Sequence, residues 1–338
     1  RIHRQVLLDE QENVLHKGDP KGDERLRRTI VHYLHASRGV DCSPEQIIIG
    51  AGNDYLLMLL SVILGRGHKV AMENPTYISA YRCFAKLGYA MCTISMDEAG
   101  MRPAELEKSG ADLAYIMPSH QFPMGMVMPM KRRMQLLAWA SRENGRYLIE
   151  DDYDSEFRYR GKPIPSLQSS DEKGKVIYIG TFSKAIAPAI RVSYMVLPGD
   201  LLDIYRRDCS FYSCTVSRID QRILNEFIRD GYFERHLNKM RMRYRAKHDL
   251  LLAGLEPFKK QFVISGEDAG LHLLLTAKGN VTEQELLERA AAEKVKAYGM
   301  SENMVEATMR KATVLLGFGS IDEAEMQEGL RRLQKAWL

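Results

Sequence analysis

Long apolar runs are missing from this sequence. The longest, near Tyr55–Leu64, is too short to cross a bilayer and reads as a core helix. The opening stretch, RIHRQVLLDEQENV, is polar and carries no signal peptide, so no membrane association is expected. Charge of one sign is scarce: a net charge of +4 over 338 residues gives no ground for a nucleic-acid or membrane surface. Cysteine is sparse too. Cys42, Cys83, Cys92, Cys209 and Cys214 include no C-x-x-C pair, and no histidine pair stands near them at zinc-finger spacing. That pattern argues for reduced thiols in a cytoplasmic protein, with no metal centre. Repeats, low-complexity tracts and a helix-turn-helix pattern are absent. So is a starting methionine, which leaves room for a missing upstream segment.

What remains is the balance of a soluble globular protein, with 45% hydrophobic and 27% charged residues, long enough for about two domains. Residues 26–39 carry apolar side chains at helical spacing and stop at Gly39. QIIIG (46–50) reads as a buried strand running into the apolar helix YLLMLLSVIL. HKVAMENPTY, DLAYIMPSHQFPMG (112–125), RYLIEDDY (146–153) and KVIYIGTFSK (175–184) each read as strand then loop, with the amphipathic helix KRRMQLLAWASREN between the second and third. This alternation over about 46–200 predicts a mostly parallel sheet. Residues 215–250 read as one or two long helices rich in Arg and Lys. From about 251 the strands LHLLLTA and TVLLGFG, with two charged amphipathic helices, predict a second, smaller domain. The expected fold class is therefore α/β. A helical segment over 1–45 packs on the small domain, a large domain spans 46–235, and the small C-terminal domain spans 236–338.

In open parallel sheets ligands bind beyond the carboxyl ends of the strands. The polar residues of this chain gather there. Lys184, in GTFSKAIAPAIR, directly follows a β-run; a buried lysine is held neutral and its amine can attack an aldehyde. Arg191, seven positions on, can hold a phosphate bidentately. Asp151 and Asp152 close the strand RYLIE, where a carboxylate can keep a pyridinium nitrogen protonated, and the Tyr153 hydroxyl can bond a phenolic oxygen. Gly50-Ala51-Gly52 opens a helix whose N-terminus suits an anion. Tyr77, in NPTY, can stack on a flat ring. Each has a plainer reading alone: a solvated lysine, an ion-pair arginine, a strand cap, a tight turn, a packing tyrosine. Together they supply an amine, a pyridinium partner, a phenol, a stacking ring and a phosphate cradle.

GDPKGDERLR (18–27), PSHQFPMG (118–125), EDDYDSEFRYRG (150–161) and GTFSKAIAPAIRVSYMVLP (180–198) resemble fold-type I enzymes of pyridoxal 5'-phosphate (PLP). More closely, they resemble the aminotransferase-like domain of MocR/GabR-type regulators of the GntR superfamily. The resemblance spans essentially the whole chain. It implies that Lys184 carries PLP as an internal aldimine and shuttles protons in any transamination. It implies that Asp151 pairs with the pyridine nitrogen, Tyr153 bonds the phenolic oxygen and Tyr77 stacks on the ring. Ala51 and Gly52 would give backbone N–H groups to the phosphate, joined by Thr181 and Arg191.

Three departures stand out. Phe122 precedes Pro123 where many relatives have asparagine, so that contact is missing or comes from Gln121 or His120. Ser79 stands where some relatives place an arginine. Relatives hold a substrate carboxylate with an arginine in the last third; between Ala246 and Met309 the only arginine here is Arg289, in a helix that reads as a surface one, with Arg310 just beyond. The resemblance implies a homodimer and an effector-sensing domain of a transcription regulator, binding PLP and an amino compound. DNA would be bound only through an N-terminal helix-turn-helix domain missing from this chain. The alternative is a working PLP-dependent aminotransferase. A remoter one is a dinucleotide-binding protein, with GAGNDY and Glu73 standing for that fingerprint, although Tyr55 occupies its third small position.

Overall fold

A computed structural model describes residues 15–159, 164–307 and 311–338. The first element, helix α1 (Glu24–Arg38), is capped by Asp23, which accepts the Arg25 N–H, and ends at Gly39 with φ 66°. There follow β1 (Ile47–Gly50), α2 (Asn53–Leu64), β2 (Lys69–Asn74), α3 (Ile78–Lys86), β3 (Ala90–Asp97), β4 (Gly100–Met101), β5 (Leu113–Ile116), α4 (Met130–Ala140), β6 (Tyr147–Asp152), β7 (Val176–Thr181) and β8 (Ser193–Val196). These strands form one sheet in the order β1-β8-β7-β6-β5-β2-β3-β4. The run β3-β2-β5-β6-β7 is parallel, as the alternating pattern predicts. β8 is antiparallel to β7 because the loop between them carries no crossover helix, and β1 is antiparallel to β8. β5 and β6 are buried at every position, which fits strands covered on both faces.

Two helices, α5 (Arg218–Arg229) and α6 (Tyr232–Gly254), lead to β9 (Phe262–Ser265), β10 (His272–Ala277), α7 (Glu283–Ala292), β11 (Tyr298–Gly299), β12 (Thr313–Gly317) and α8 (Glu323–Trp337). The second sheet is antiparallel, in the order β11-β12-β10-β9. α6 joins the two units physically. Its Phe233 and Leu237 lie in the core against the large sheet, while its Leu251, with Leu255 just past its end, lies in the small-sheet core with Phe258, Leu273 and Trp337.

One expectation is corrected. The N-terminal helix does not pack on the small domain. The α1 stripe of Leu26, Ile30 and Leu34 is buried against Ile47, Ile49, Tyr178 and Tyr194 of the large sheet and Leu224 of α5. An apolar stripe settles on the nearest apolar face, and the large-sheet edge supplies it. Residues 1–14 of that expected segment lie outside the described residues.

Candidate functional site

Asp151 and Asp152 are consecutive on β6, so their side chains leave opposite faces of the sheet. Asp152 turns toward α1: its Oδ2 accepts the Arg38 Nε–H at 2.7 Å and the Tyr178 hydroxyl at 2.6 Å. Asp151 turns toward α2. Its Oδ2 accepts the Tyr115 hydroxyl, and the Asn53 side-chain amide at 3.1 Å. No lysine or arginine among the described residues pairs with Asp151. Burial, the leading cause, pushes its pKa up to about 7, against the lowering effect of the Tyr115 hydrogen bond.

Around this carboxyl stand the other groups expected from the sequence. Tyr77, half-buried at the start of α3, meets the Phe122 ring edge-on at 6.3 Å. Burial, and then the nearby charge of Asp151, raise its hydroxyl pKa. The Tyr153 hydroxyl lies 2.8 Å from His120 Nδ1, which is also 2.9 Å from Asp154 Oδ2. His120 is 1% exposed, and its Nε2 is buried with no partner among the described residues. Of the two stand-ins considered for the missing asparagine contact, His120 reaches the tyrosine. Gln121 is tied into its own loop, donating to the Pro75 carbonyl and accepting from the Met124 N–H.

The α2 N-terminus forms the anion side. Gly52 has φ 93°, and a Cβ built there would come within 2.3 Å of Arg191 Nη2. The guanidinium therefore lies directly over the glycine backbone, a closeness no other residue type allows. Arg191 is exposed and 3.3 Å from Asp54 Oδ2.

Three details differ from expectation. The Ala51 N–H donates to Thr215 Oγ1 at 2.9 Å and the Gly52 N–H to the Gly50 carbonyl at 2.9 Å, so the chain itself uses both. The N–H groups left over by helix geometry are those of the first turn of α2. The Thr181 hydroxyl is turned into the β7–β8 pair, bonded to Ser193 Oγ at 2.9 Å and accepting the Ser183 N–H. Ser183 Oγ, one residue before Lys184, is buried and without a partner among the described residues; the T-F-S-K segment carried that signal. Finally, Lys184 is exposed, on the turn between β7 and β8, so this chain alone does not give it the burial expected of a neutral amine.

These groups fit a phosphorylated pyridine aldehyde. The guanidinium over Gly52 faces a helix N-terminus, the site of an anion. The buried acid Asp151, with no cation against it among the described residues, suits a cationic ring nitrogen, and the buried Ser183 hydroxyl, one residue before Lys184, has no partner among the described residues. The dinucleotide fingerprint fares worse. Glu73 is 0% exposed, with one carboxylate oxygen accepting the Met101 N–H, so its carboxylate is not presented to a ribose at the surface. A cavity of about 1000 Å³ lies on the other face of the sheet, lined by Tyr33, Arg38, Glu156 and Arg241; Lys184, Asp151, Tyr77 and Arg191 do not line it. Arg289 is exposed on α7, and Arg310 lies outside the described residues.

Comparison with known proteins matches the family described as aminotransferase class I and II over residues 3–333. The uncharacterized HTH-type transcriptional regulator YhdI of Bacillus subtilis (strain 168) is 40% identical over 332 residues, covering 98% of this chain and 70% of YhdI. The probable rhizopine catabolism regulatory protein MocR of Rhizobium meliloti is 32% identical, over 94% of this chain and 64% of MocR. Among solved structures, the kynurenine aminotransferase of Pyrococcus horikoshii superimposes with a TM-score of 0.88 at 29% identity, over 99% of this chain and 85% of that one.

Proposed function

The chain belongs to the aminotransferase class I and II family, and from that premise we propose that it is the PLP-binding, effector-sensing domain of a MocR-type transcription regulator. The observation that carries the cofactor assignment is Asp151: a buried acid with no lysine or arginine partner among the described residues, on the α2 side of the sheet with Asn53 and near Tyr77. The 40% identity with an HTH-type regulator over 98% of the chain supports the regulator reading. In that reading the DNA contact belongs to a helix-turn-helix domain outside these 338 residues, and the full protein works as a cytoplasmic homodimer.

The residues divide the work. Arg191 and the first turn of α2 hold the phosphate. Asp151, whose pKa burial raises, would be ionised beside a cationic ring nitrogen and would hold that nitrogen protonated. Tyr153, held by His120, would bond the phenolic oxygen, and Tyr77 would pack on the ring. Lys184 would supply the amine that holds the cofactor. When bound, the cofactor serves as an electron sink next to an amine ligand. A sensor uses this only to favour one conformation over another.

A working aminotransferase is the second reading, favoured by the same Lys184, Asp151 and Tyr153 set. Addition of PLP to the purified protein, followed by absorbance, tests the common part. The wild type is expected to show a visible band that borohydride fixes covalently. Lys184→Ala should bind PLP weakly and lose the fixation altogether. Unchanged fixation in Lys184→Ala would remove the lysine from its role. Release of keto acid from an amino donor over many turnovers would decide for the enzyme.

A further inference from the structure

The small sheet turns one face toward the cofactor site. Along β10, Leu273 and Leu275 point into the small-domain core with Phe258 and Trp337, so His272 and Leu274 point the other way. The register pairs His272 with Gly317 and Leu274 with Leu315. Leu274, Leu315 and Met300 form a separate buried cluster, and Phe122, Met124 and Met304 pack on it while remaining half-exposed. Phe122 ties this wall to the site: its ring meets His272 at 5.5 Å, Tyr77 at 6.3 Å and Tyr153 at 6.4 Å. His272 adds no charge near neutral pH. Burial, with His120 and Lys184 nearby, pushes its pKa down to about 4, and its Nε2 is 2.8 Å from the Pro123 carbonyl.

We propose that Phe122, Met124 and Met304 form the docking wall for the non-amino part of the ligand, and that this part is apolar: an amine bearing an uncharged aromatic or branched aliphatic group. The inference rests on the reading that an amine meets the cofactor beside Lys184, and it adds which amine. Burying an apolar group on such a wall is favourable in proportion to its area. Thioethers adapt to irregular shapes and make favourable contacts with rings. A carboxylate or sulfonate pressed on the same wall loses water and gains no cation from it, which is costly.

The test uses PLP-loaded protein and two readouts, the shift of the visible band and the heat of binding. 2-Phenylethylamine, isopentylamine, glutamate and taurine are titrated at one pH. The apolar amines are expected to bind at least about tenfold tighter than glutamate or taurine. In Met304→Lys, a half-exposed site whose new ammonium can reach water along its stem, that preference should fall about tenfold or reverse. Met304→Leu should keep it, and an unchanged cofactor band in both variants shows that they fold. Tighter binding of glutamate or taurine by the wild type overturns the inference. So does a Met304→Lys variant with unaltered preference. Failure of the wild type to give any cofactor band brings down the underlying reading instead, so the two failures are told apart.

Discussion

The two faces of the large sheet at the end of β6 handle the same problem, a buried carboxyl, in opposite ways. On the α1 face Asp152 is matched by Arg38, which also donates to the Ile164 carbonyl and to Ser119 Oγ. On the α2 face Asp151 receives, among the described residues, only neutral donors, from Tyr115 and Asn53. Burying an unmatched charge is expensive. The first face is finished by Arg38; on the second, no lysine or arginine among the described residues stands against Asp151, as the proposed cofactor site requires. Adjacent, chemically identical residues thus divide into a structural pair and the proposed cofactor-binding acid.

The comparison is tested most severely through Arg38. Its guanidinium and Asp152 are both buried, with 7% and 1% of their side chains exposed. Arg38→Met should strand Asp152 and cost about 3–5 kcal/mol in urea unfolding. PLP affinity, measured well below the unfolding transition, should change less than about threefold, because the pair sits on the other face. A large loss of affinity in the still-folded variant would join the two faces and end the distinction.

The second test removes the unfinished acid. Burial raises the Asp151 pKa to about 7 in the folded chain, above the ordinary carboxylate value. Its contribution to stability is therefore complete below about pH 4 and is lost as pH rises through about 7. Glu150 and Glu73, also raised to about 7 by burial, titrate in the same window and form the background. Asp151→Asn should thus stabilise the cofactor-free protein at pH 8 by about 1–3 kcal/mol, with no gain below pH 4. With PLP bound the order should reverse, the variant gaining less from the cofactor and reacting poorly with amines. Equal stability of variant and wild type at pH 8 would mean that Asp151 is already matched by a charge.

Much of this site was legible before any coordinates. The strand ends at Tyr77, Asp151 and Lys184 follow from β-runs stopping at polar residues, and the helix end at Gly39 from one punctuation residue. Which of two adjacent aspartates turns to the α2 face and which to the α1 face was not legible from spacing, because it depends on strand pleat and on which helix covers each face. The orientation of the Thr181 hydroxyl and the engagement of the Ala51 N–H by Thr215 were hidden for a related reason: the partners lie far away in sequence or across a hairpin. The destination of α1 was misread because an amphipathic stripe specifies that a face is buried, but not against which sheet. The antiparallel β8 and the packing of Phe122, Met124 and Met304 on Leu274, Met300 and Leu315 are tertiary facts, assembled from segments that carry no signal separately.

The smallest expected effect sharpens the anion side of the α2 face. Asp54 lies 3.3 Å from Arg191, and both side chains are more than half exposed. Such a pair contributes little to stability, but its carboxylate competes with a phosphate for the same guanidinium. Asp54→Asn should leave the unfolding transition unchanged and tighten the binding of inorganic phosphate by about two- to fivefold. The gain should shrink between 50 mM and 500 mM salt, since charges this exposed are screened. Tightening that survives high salt would point to a rearranged loop rather than a freed arginine. No tightening at low salt would place the phosphate away from Arg191, on the first turn of α2 alone.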